Sequence, residues 1–320
     1  MASDKPVPAE FDDVVVWAAW LYYEERLNQN EIAAHLGLSR ATIVNYLQEA
    51  RERGIVRIMM DAEVMARSSI SRALARRFDL AEALVIPHHP QAGAADRRAA
   101  LGAAGARQLE RMVAPGDTIC VSWGRTVLAV ADAMALARPV PGLSVVQVTG
   151  SALGKREFSA ELCTAILARN LNATSVTMLA PAVLSSPELC RALLTEPVLQ
   201  RQFQLIRQAR SIVFGVGGLG PDSTMRLADV ASDAEIDAYA AQGAEAVLIC
   251  RFIDAAGRQI SRDFDRRMIG IELEQLRAIP HRLCVAGGAD KLGAIRATLA
   301  GGYASHLVTD MQTAEALLAG

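Results

Sequence analysis

The chain has 320 residues, 52% hydrophobic and 21% charged, with a formal net charge of −2, which is ordinary for a folded chain and long enough for two domains. No run approaches the ~18 apolar residues of a membrane helix, which excludes a membrane span. The chain does not begin with a basic stretch followed by an apolar one, which excludes a secretory signal and makes the cytoplasm the expected compartment.

Residues 1–10, with Pro6 and Pro8, read as a frayed tail. Residues 11–25 place Val15, Trp17, Ala18, Leu21 and Tyr22 on one face and predict a supporting helix. Residues 28–53, NQNEIAAHLGLSRATIVNYLQEARER, read as a helix-turn-helix. Ile32, Ala33 and Leu36 form the inward stripe of a first helix that stops at Gly37, where a left-handed backbone costs little. Ser39 caps a second helix whose buried face is Ile43, Leu47 and Ala50. Arg40, Thr42, Asn45 and Gln48 fall on its opposite face near the capped end, the end a recognition helix sets against base edges; Gln29 and Ser39 join them as candidate DNA-binding residues. Residues 1–60 carry six Lys and Arg against nine Asp and Glu, a net of −3. Phosphate neutralisation therefore contributes little per subunit, and operator DNA must be held by several copies. Residues 54–59 turn β-branched and predict a short wing strand, so a winged helix-turn-helix domain occupies 1–59.

Residues 60–320 alternate helix and buried strand. A helix over 68–78 and a strand at 83–87 lead in. There follow a helix over 97–112, a strand at 117–122, a helix over 126–137 and a strand at 144–149. Further strands are expected at 175–179, 211–216, 246–249, 282–286 and 306–309, with a helix over 290–300. The alternation predicts a Rossmann-like α/β domain whose mostly parallel sheet is covered on both faces. Several strands end in glycine-rich turns: Ser122-Trp123-Gly124-Arg125-Thr126, Thr149-Gly150-Ser151, GVGGLG at 215–220 and Gly287-Gly288. In an open parallel sheet such turns line the crevice at the carboxyl ends of the strands, where helix amides favour anions. A phosphorylated small molecule fits such a crevice. GVGGLG comes too late in the chain for a dinucleotide fingerprint, so no cofactor is expected. Five cysteines without CxxC spacing predict buried free thiols, and the five histidines offer no metal spacing; His88-His89 reads as a turn.

With the helix-turn-helix, SWGRT, GVGGLG, RFIDAAG, MIGIELEQLRAIP and AGGADKLGAIRATLAGGYASHLVTD in this order, the chain resembles the SorC family of sugar-responsive transcriptional regulators. The resemblance implies a DeoR-like helix-turn-helix, an effector domain related to sugar-phosphate isomerases and deaminases, and a tetramer built as a dimer of dimers. It also implies operator binding modulated by a sugar, polyol or sugar-phosphate effector. It places Ser122, Gly124, Arg125 and Thr126 in a phosphate loop and Thr149, Gly150 and Ser151 in a loop facing the sugar. Asp254 is implied as acceptor of sugar hydroxyls and Lys291 as donor or counter-charge. Val44, Asn45, Tyr46 and Gln48 depart from the family's recognition helix, which implies a different operator. Cys250 stands where a glycine is usual, and the threonine at 149 supplies neither a second phosphate clamp nor a Schiff base, which argues against a bisphosphate. The alternative is a sugar-phosphate isomerase or deaminase fused to a DNA-binding module, for which no acid/base pair is evident beyond Asp254 with Lys291.

Overall fold

A computed structural model describes residues 7–56, 68–87, 93–136, 139–152, 154 and 156–320. The chain divides into two compact units, Met1–Met60 and Asp61–Gly320.

In the first unit, α1 (Val14–Tyr23) starts at Asp13, whose carboxylate accepts from the amides of Val15 (2.8 Å) and Val16 (3.0 Å). The second helix, α2 (Gln29–Leu36), opens on a capping box: Asn28 Oδ1 accepts from Asn30 and Glu31 amides, and Glu31 Oε2 accepts from the Asn28 amide at 2.7 Å. It stops at Gly37, held at φ 69°. Ser39 Oγ then accepts from the Thr42 amide at 3.0 Å and starts α3 (Arg40–Glu52). Trp17, Leu21, Ile32, Leu36, Ile43 and Leu47 bury together between the three helices. Burying a side chain the size of Ile32 or Ile43 contributes about 1.5–3 kcal/mol. Arg53, just past α3, reaches back to Asp13 at 2.5 Å and ties the end of the third helix to the start of the first. Half of the expected wing strand, residues 57–59, lies outside the described residues. Gly54 to Val56 form a turn on the end of α3, with the Val56 amide donating to the Ala50 carbonyl.

The second unit is built on a seven-stranded parallel sheet. Its strands are β1 (Glu82–Ile86), β2 (Thr118–Val121), β3 (Ser144–Gln147), β4 (Thr174–Val176), β5 (Ser211–Phe214), β8 (His281–Val285) and β9 (His306–Asp310). Their order is β1-β9-β8-β5-β2-β3-β4. Alternate residues bury on opposite faces. Ile119 and Val121 of β2 join one apolar cluster with Leu283 and Val285 of β8, while Cys120 and Cys284 join the other. Helices α4 (Ser69–Arg77), α5 (Ala94–Met112), α6 (Arg125–Ala133) and α7 (Ala160–Asn170) alternate with the early strands, and α13 (Leu292–Ala300) and α14 (Met311–Ala319) with the last two. From β2 the chain steps outward to β3 and β4, then returns to the other side of β2 as β5 and continues to β8 and β9. The order of strands therefore reverses between β2 and β5, the place where an open α/β sheet leaves a crevice at its carboxyl edge.

The strand expected at 246–249 is not part of this sheet. It is β6 (Ala244–Leu248), paired antiparallel with β7 (Arg251–Asp254) in a separate hairpin. Only Ile249 and Cys250 connect the two, and so short a link can join only antiparallel neighbours. Both residues have positive φ (49° and 64°), the conformation such a turn demands and one that a branched side chain adopts at a cost. The hairpin lies against the turn after β5, where Gly217 and Val247 exchange backbone hydrogen bonds of 3.0 and 2.8 Å. All five cysteines are buried and free. His88 and His89 lie outside the described residues.

Candidate functional site

A cavity of about 420 Å³ opens at the carboxyl ends of β2, β5 and β8, over the point where strand order reverses. Its first wall is the turn from β2 into α6. Gly124 sits at φ 113° and precedes the helix without a side-chain cap, so the amides of the first turn of α6 are left for whatever occupies the cavity. Thr126 is buried in that turn, and Ser122 is buried just before it. Gly215 and Gly217, after β5, form the middle of the cavity, and Ile249 and Cys250 border it from the hairpin. Beyond β8, Gly288 at φ 109° leads into the short turn that carries Lys291. The Gly288 amide donates to Thr313 Oγ1 (2.8 Å), and Thr313 is held in turn by Asp310, the aspartate that ends β9 and caps α14.

Positive charge collects around this cavity. Arg97 and Arg98 from α5, Arg125 and Lys291 all line it, against Asp222 and Asp290, both exposed. Arg125 donates to the Asp222 carbonyl at 2.8 Å, and Arg97 lies 3.9 Å from Asp290. Arg98 and Lys291 form no ion pair among the described residues. Burial holds the Lys291 ammonium below its ordinary pKa; Asp290 opposes the shift and Arg125 and Arg98 add to it. Burial likewise lowers Arg98, helped by the charges of Arg125 and Arg97.

Ser122, Gly124, Arg125, Thr126 and Lys291 thus come together. Thr149, Gly150 and Ser151 do not join them. Thr149 bridges to Gly270 and Ser151 to Pro181, and a Cβ on Gly150 would stand 2.4 Å from the Pro181 carbonyl oxygen. That glycine serves a close crossing of two backbones, and it lines a separate, smaller cavity that shares Trp123 and Cys250 with the first. Asp254 also lies outside the cavity. Its carboxylate closes the turn after β7, accepting from the Ala256 and Arg258 amides at 2.9 Å each and from Arg258 Nε at 2.8 Å. The Arg258 amide and guanidinium hold that carboxyl below the usual range. Sequence reasoning missed Arg97, Arg98 and the cavity face of Trp123, whose ring stacks on Phe158. The adjacent arginines in the first turns of α5 were visible, but nothing in the sequence said that those turns stand beside β8.

On α3, Arg40, Asn45 and Gln48 are exposed and Thr42 half-buried. Arg40 Nε donates to Gln29 Oε1 at 3.2 Å, Ser39 and Thr42 hydroxyls bond at 2.8 Å, and Gln48 donates to Glu52 at 2.9 Å. The Asn45 amide has no partner among the described residues, so its donor and acceptor both face outward.

Among the described residues no helix is long and apolar enough to cross a membrane, and no group of His, Cys, Asp and Glu is arranged to hold a metal. Comparison with known proteins matches residues 62–319 to the Sugar-bind family, described as a putative sugar-binding domain. The chain is 33% identical over 312 residues to the uncharacterized transcriptional regulator YjhU of Escherichia coli K12, covering 96% of this chain and 95% of that protein. It is 30% identical over 311 residues to the deoxyribonucleoside regulator of Bacillus subtilis, covering 97% and 98% respectively. The full-length sorbitol operon regulator SorC of Klebsiella pneumoniae superposes with a TM-score of 0.71 at 26% identity, covering 95% of this chain and 98% of that one.

Proposed function

We propose, from the premise that this chain belongs to the SorC family of sugar-binding transcriptional regulators, that the cavity at the β2/β5 crossing is its effector site and that it accepts a phosphorylated sugar. The protein is a DNA-binding regulator of carbohydrate metabolism and not an enzyme. One observation carries the effector reading. The uncapped first turn of α6, the hydroxyl of Thr126 in that turn and the unpaired Lys291 ammonium line one cavity, a donor set suited to a phosphate group.

Operator DNA is read by the exposed face of α3, with Arg40 and Asn45 at base edges, Gln48 beside them and the Ser39, Thr42 and Gln29 side chains positioning that face. A net charge of −3 over residues 1–60 favours a multivalent complex, a tetramer arranged as a dimer of dimers in the cytoplasm. The effector shifts operator binding by its differential affinity for two arrangements of those subunits. Calorimetry of the full chain against phosphorylated and free sugars and polyols, run beside a turnover assay on each compound that binds, tests the reading. Binding without turnover is the expected result, and consumption of the bound compound would overturn it. Light scattering checks the assembly: the expected mass is four chains, and a monomer with and without DNA contradicts it.

A further inference from the structure

The cavity has two unlike walls. Its cations come from α5, from α6 and from the turn after β8. The wall formed by the turns after β2 and β5 and by the β6–β7 hairpin is apolar: Trp123, Val216, Met225, Val247, Ile249 and Cys250. Trp123 is half-buried and the other five are buried. Polar groups along this wall are engaged within it. The Trp123 indole N–H donates to the Cys250 sulfur, and Gly217 and Val247 exchange their backbone hydrogen bonds. Thr224, beside Met225, carries a hydroxyl but stands by α6, where a Cβ on Gly124 would lie 3.7 Å from its methyl carbon. Behind Trp123 and Cys250 lies the smaller cavity, about 10 Å³, with Ala152, Ala160, Ala182, Ala228 and Val230 in its lining. Ser159 Oγ, also there, accepts from the Leu162 amide at 3.2 Å. The space suits one water or one methyl group, and a water would find few of the two to four polar partners it needs. Cys250 borders both cavities and holds φ 64°, a backbone angle that glycine adopts freely and a side chain adopts at a cost. Strain at a cavity wall points to what the side chain does there.

We infer that the effector presents a methyl group to the Trp123–Cys250 wall, and that Cys250 is the specificity-determining residue for it. The ligand class is then a methyl-terminated sugar phosphate, a sugar whose end carries CH3 in place of CH2OH, with its phosphate at the α6 turn. A hydroxyl turned to this wall gives up its hydrogen bonds to water and finds no replacement, because the thiol is a weak partner already engaged by the indole. A methyl group gives up nothing and buries apolar surface. Serine at position 250 offers a hydroxyl of nearly the same size as the thiol, and glycine removes the side chain that the two cavities share.

The inference rests on the effector reading above, and the test separates the two. The full chain is titrated by calorimetry with matched pairs that differ only in a terminal CH3 against CH2OH. The pairs are the 1-phosphates of 5-deoxyribose and ribose, of D-fucose and D-galactose and of 6-deoxyglucose and glucose, together with the same sugars unphosphorylated. In at least one phosphorylated pair the methyl member binds about tenfold or more tighter. Cys250→Ser brings that ratio to about one or below by giving the hydroxyl a partner. Cys250→Gly, which suits a φ of 64° and so keeps the fold, narrows it as well. Thr126→Val, in the α6 turn, weakens both members of a pair and leaves their ratio unchanged. Equal affinity within every pair, or a ratio that neither Cys250 variant changes, overturns the methyl subsite and leaves the effector reading intact; a wall that only covers the C–H face of a sugar ring gives that result. A methyl preference confined to unphosphorylated sugars upholds the subsite and overturns the phosphate. Binding by no member of any pair overturns both.

Discussion

Replacing Lys291 by methionine separates a ligand-binding charge from a structural one. The ammonium is half-buried and unpaired among the described residues, with Arg125 and Arg98 adding repulsion that Asp290 only partly opposes. A charge held below its ordinary pKa is one the fold retains at a cost. Methionine keeps the volume and removes the charge, so the ligand-free chain keeps or gains stability in a urea melt. Affinity for a phosphorylated ligand moves the other way. A charge-assisted hydrogen bond contributes ~1.5–3 kcal/mol, so calorimetry should record a loss of roughly tenfold to 150-fold. The pH dependence gives a third readout. Native Lys291 titrates below its ordinary 10.5, so between the two values the unfolded chain binds more protons and the free protein gains stability as pH rises. An anionic ligand favours the ammonium, so its affinity is flat near neutrality and falls as pH rises through the native pKa, with proton uptake that depends on buffer. Lys291→Met abolishes that fall. A variant that loses stability while keeping wild-type affinity and pH profile would refute the reasoning, because Lys291 would then be a packing residue.

Three further outcomes follow from the geometry. Asn28→Ala removes the acceptor for the Asn30 and Glu31 amides and should cost about 1 kcal/mol, seen as faster hydrogen exchange across α2 with the larger unit unaffected. Arg40→Ala and Asn45→Ala should each cost ~1–3 kcal/mol at the operator and relax base preference, measured by anisotropy at fixed salt; Gln29→Ala, which only frees the Arg40 guanidinium, should cost less. Asp254→Ala should lower the melting temperature by opening the turn after β7 and leave sugar-phosphate affinity unchanged, and lost affinity with unchanged melting would restore it to the effector site.

Local signals in the sequence were read accurately because their physics is local. Gly37, Ser39 and the Ile32, Leu36, Ile43 and Leu47 stripe fix α2 and α3 through a left-handed turn, a cap and a buried face, each visible within a few residues. Turns at strand ends were likewise legible, and those after β2, β5 and β8 line one cavity. Which of these turns share a cavity depends on which strands are neighbours. Thr149-Gly150-Ser151 follows β3 and looks like its counterparts, but β3 lies away from the reversal and its turn packs on Pro181. Asp254 ends a strand of the separate hairpin, so its position in the chain says nothing about the cavity edge. Arg97 and Arg98 reach the site from α5, which follows edge strand β1 in the chain yet delivers its first turns to the end of β8.

Operator affinity of the full chain, measured by anisotropy on DNA upstream of its own gene with and without a saturating sugar phosphate that binds the cavity, tests the central claim most directly. The account predicts that the ligand changes operator affinity, and that Thr126→Val demands a higher ligand concentration for the same change while binding ligand-free DNA as the wild type does. An operator affinity indifferent to every compound that occupies the cavity would contradict it.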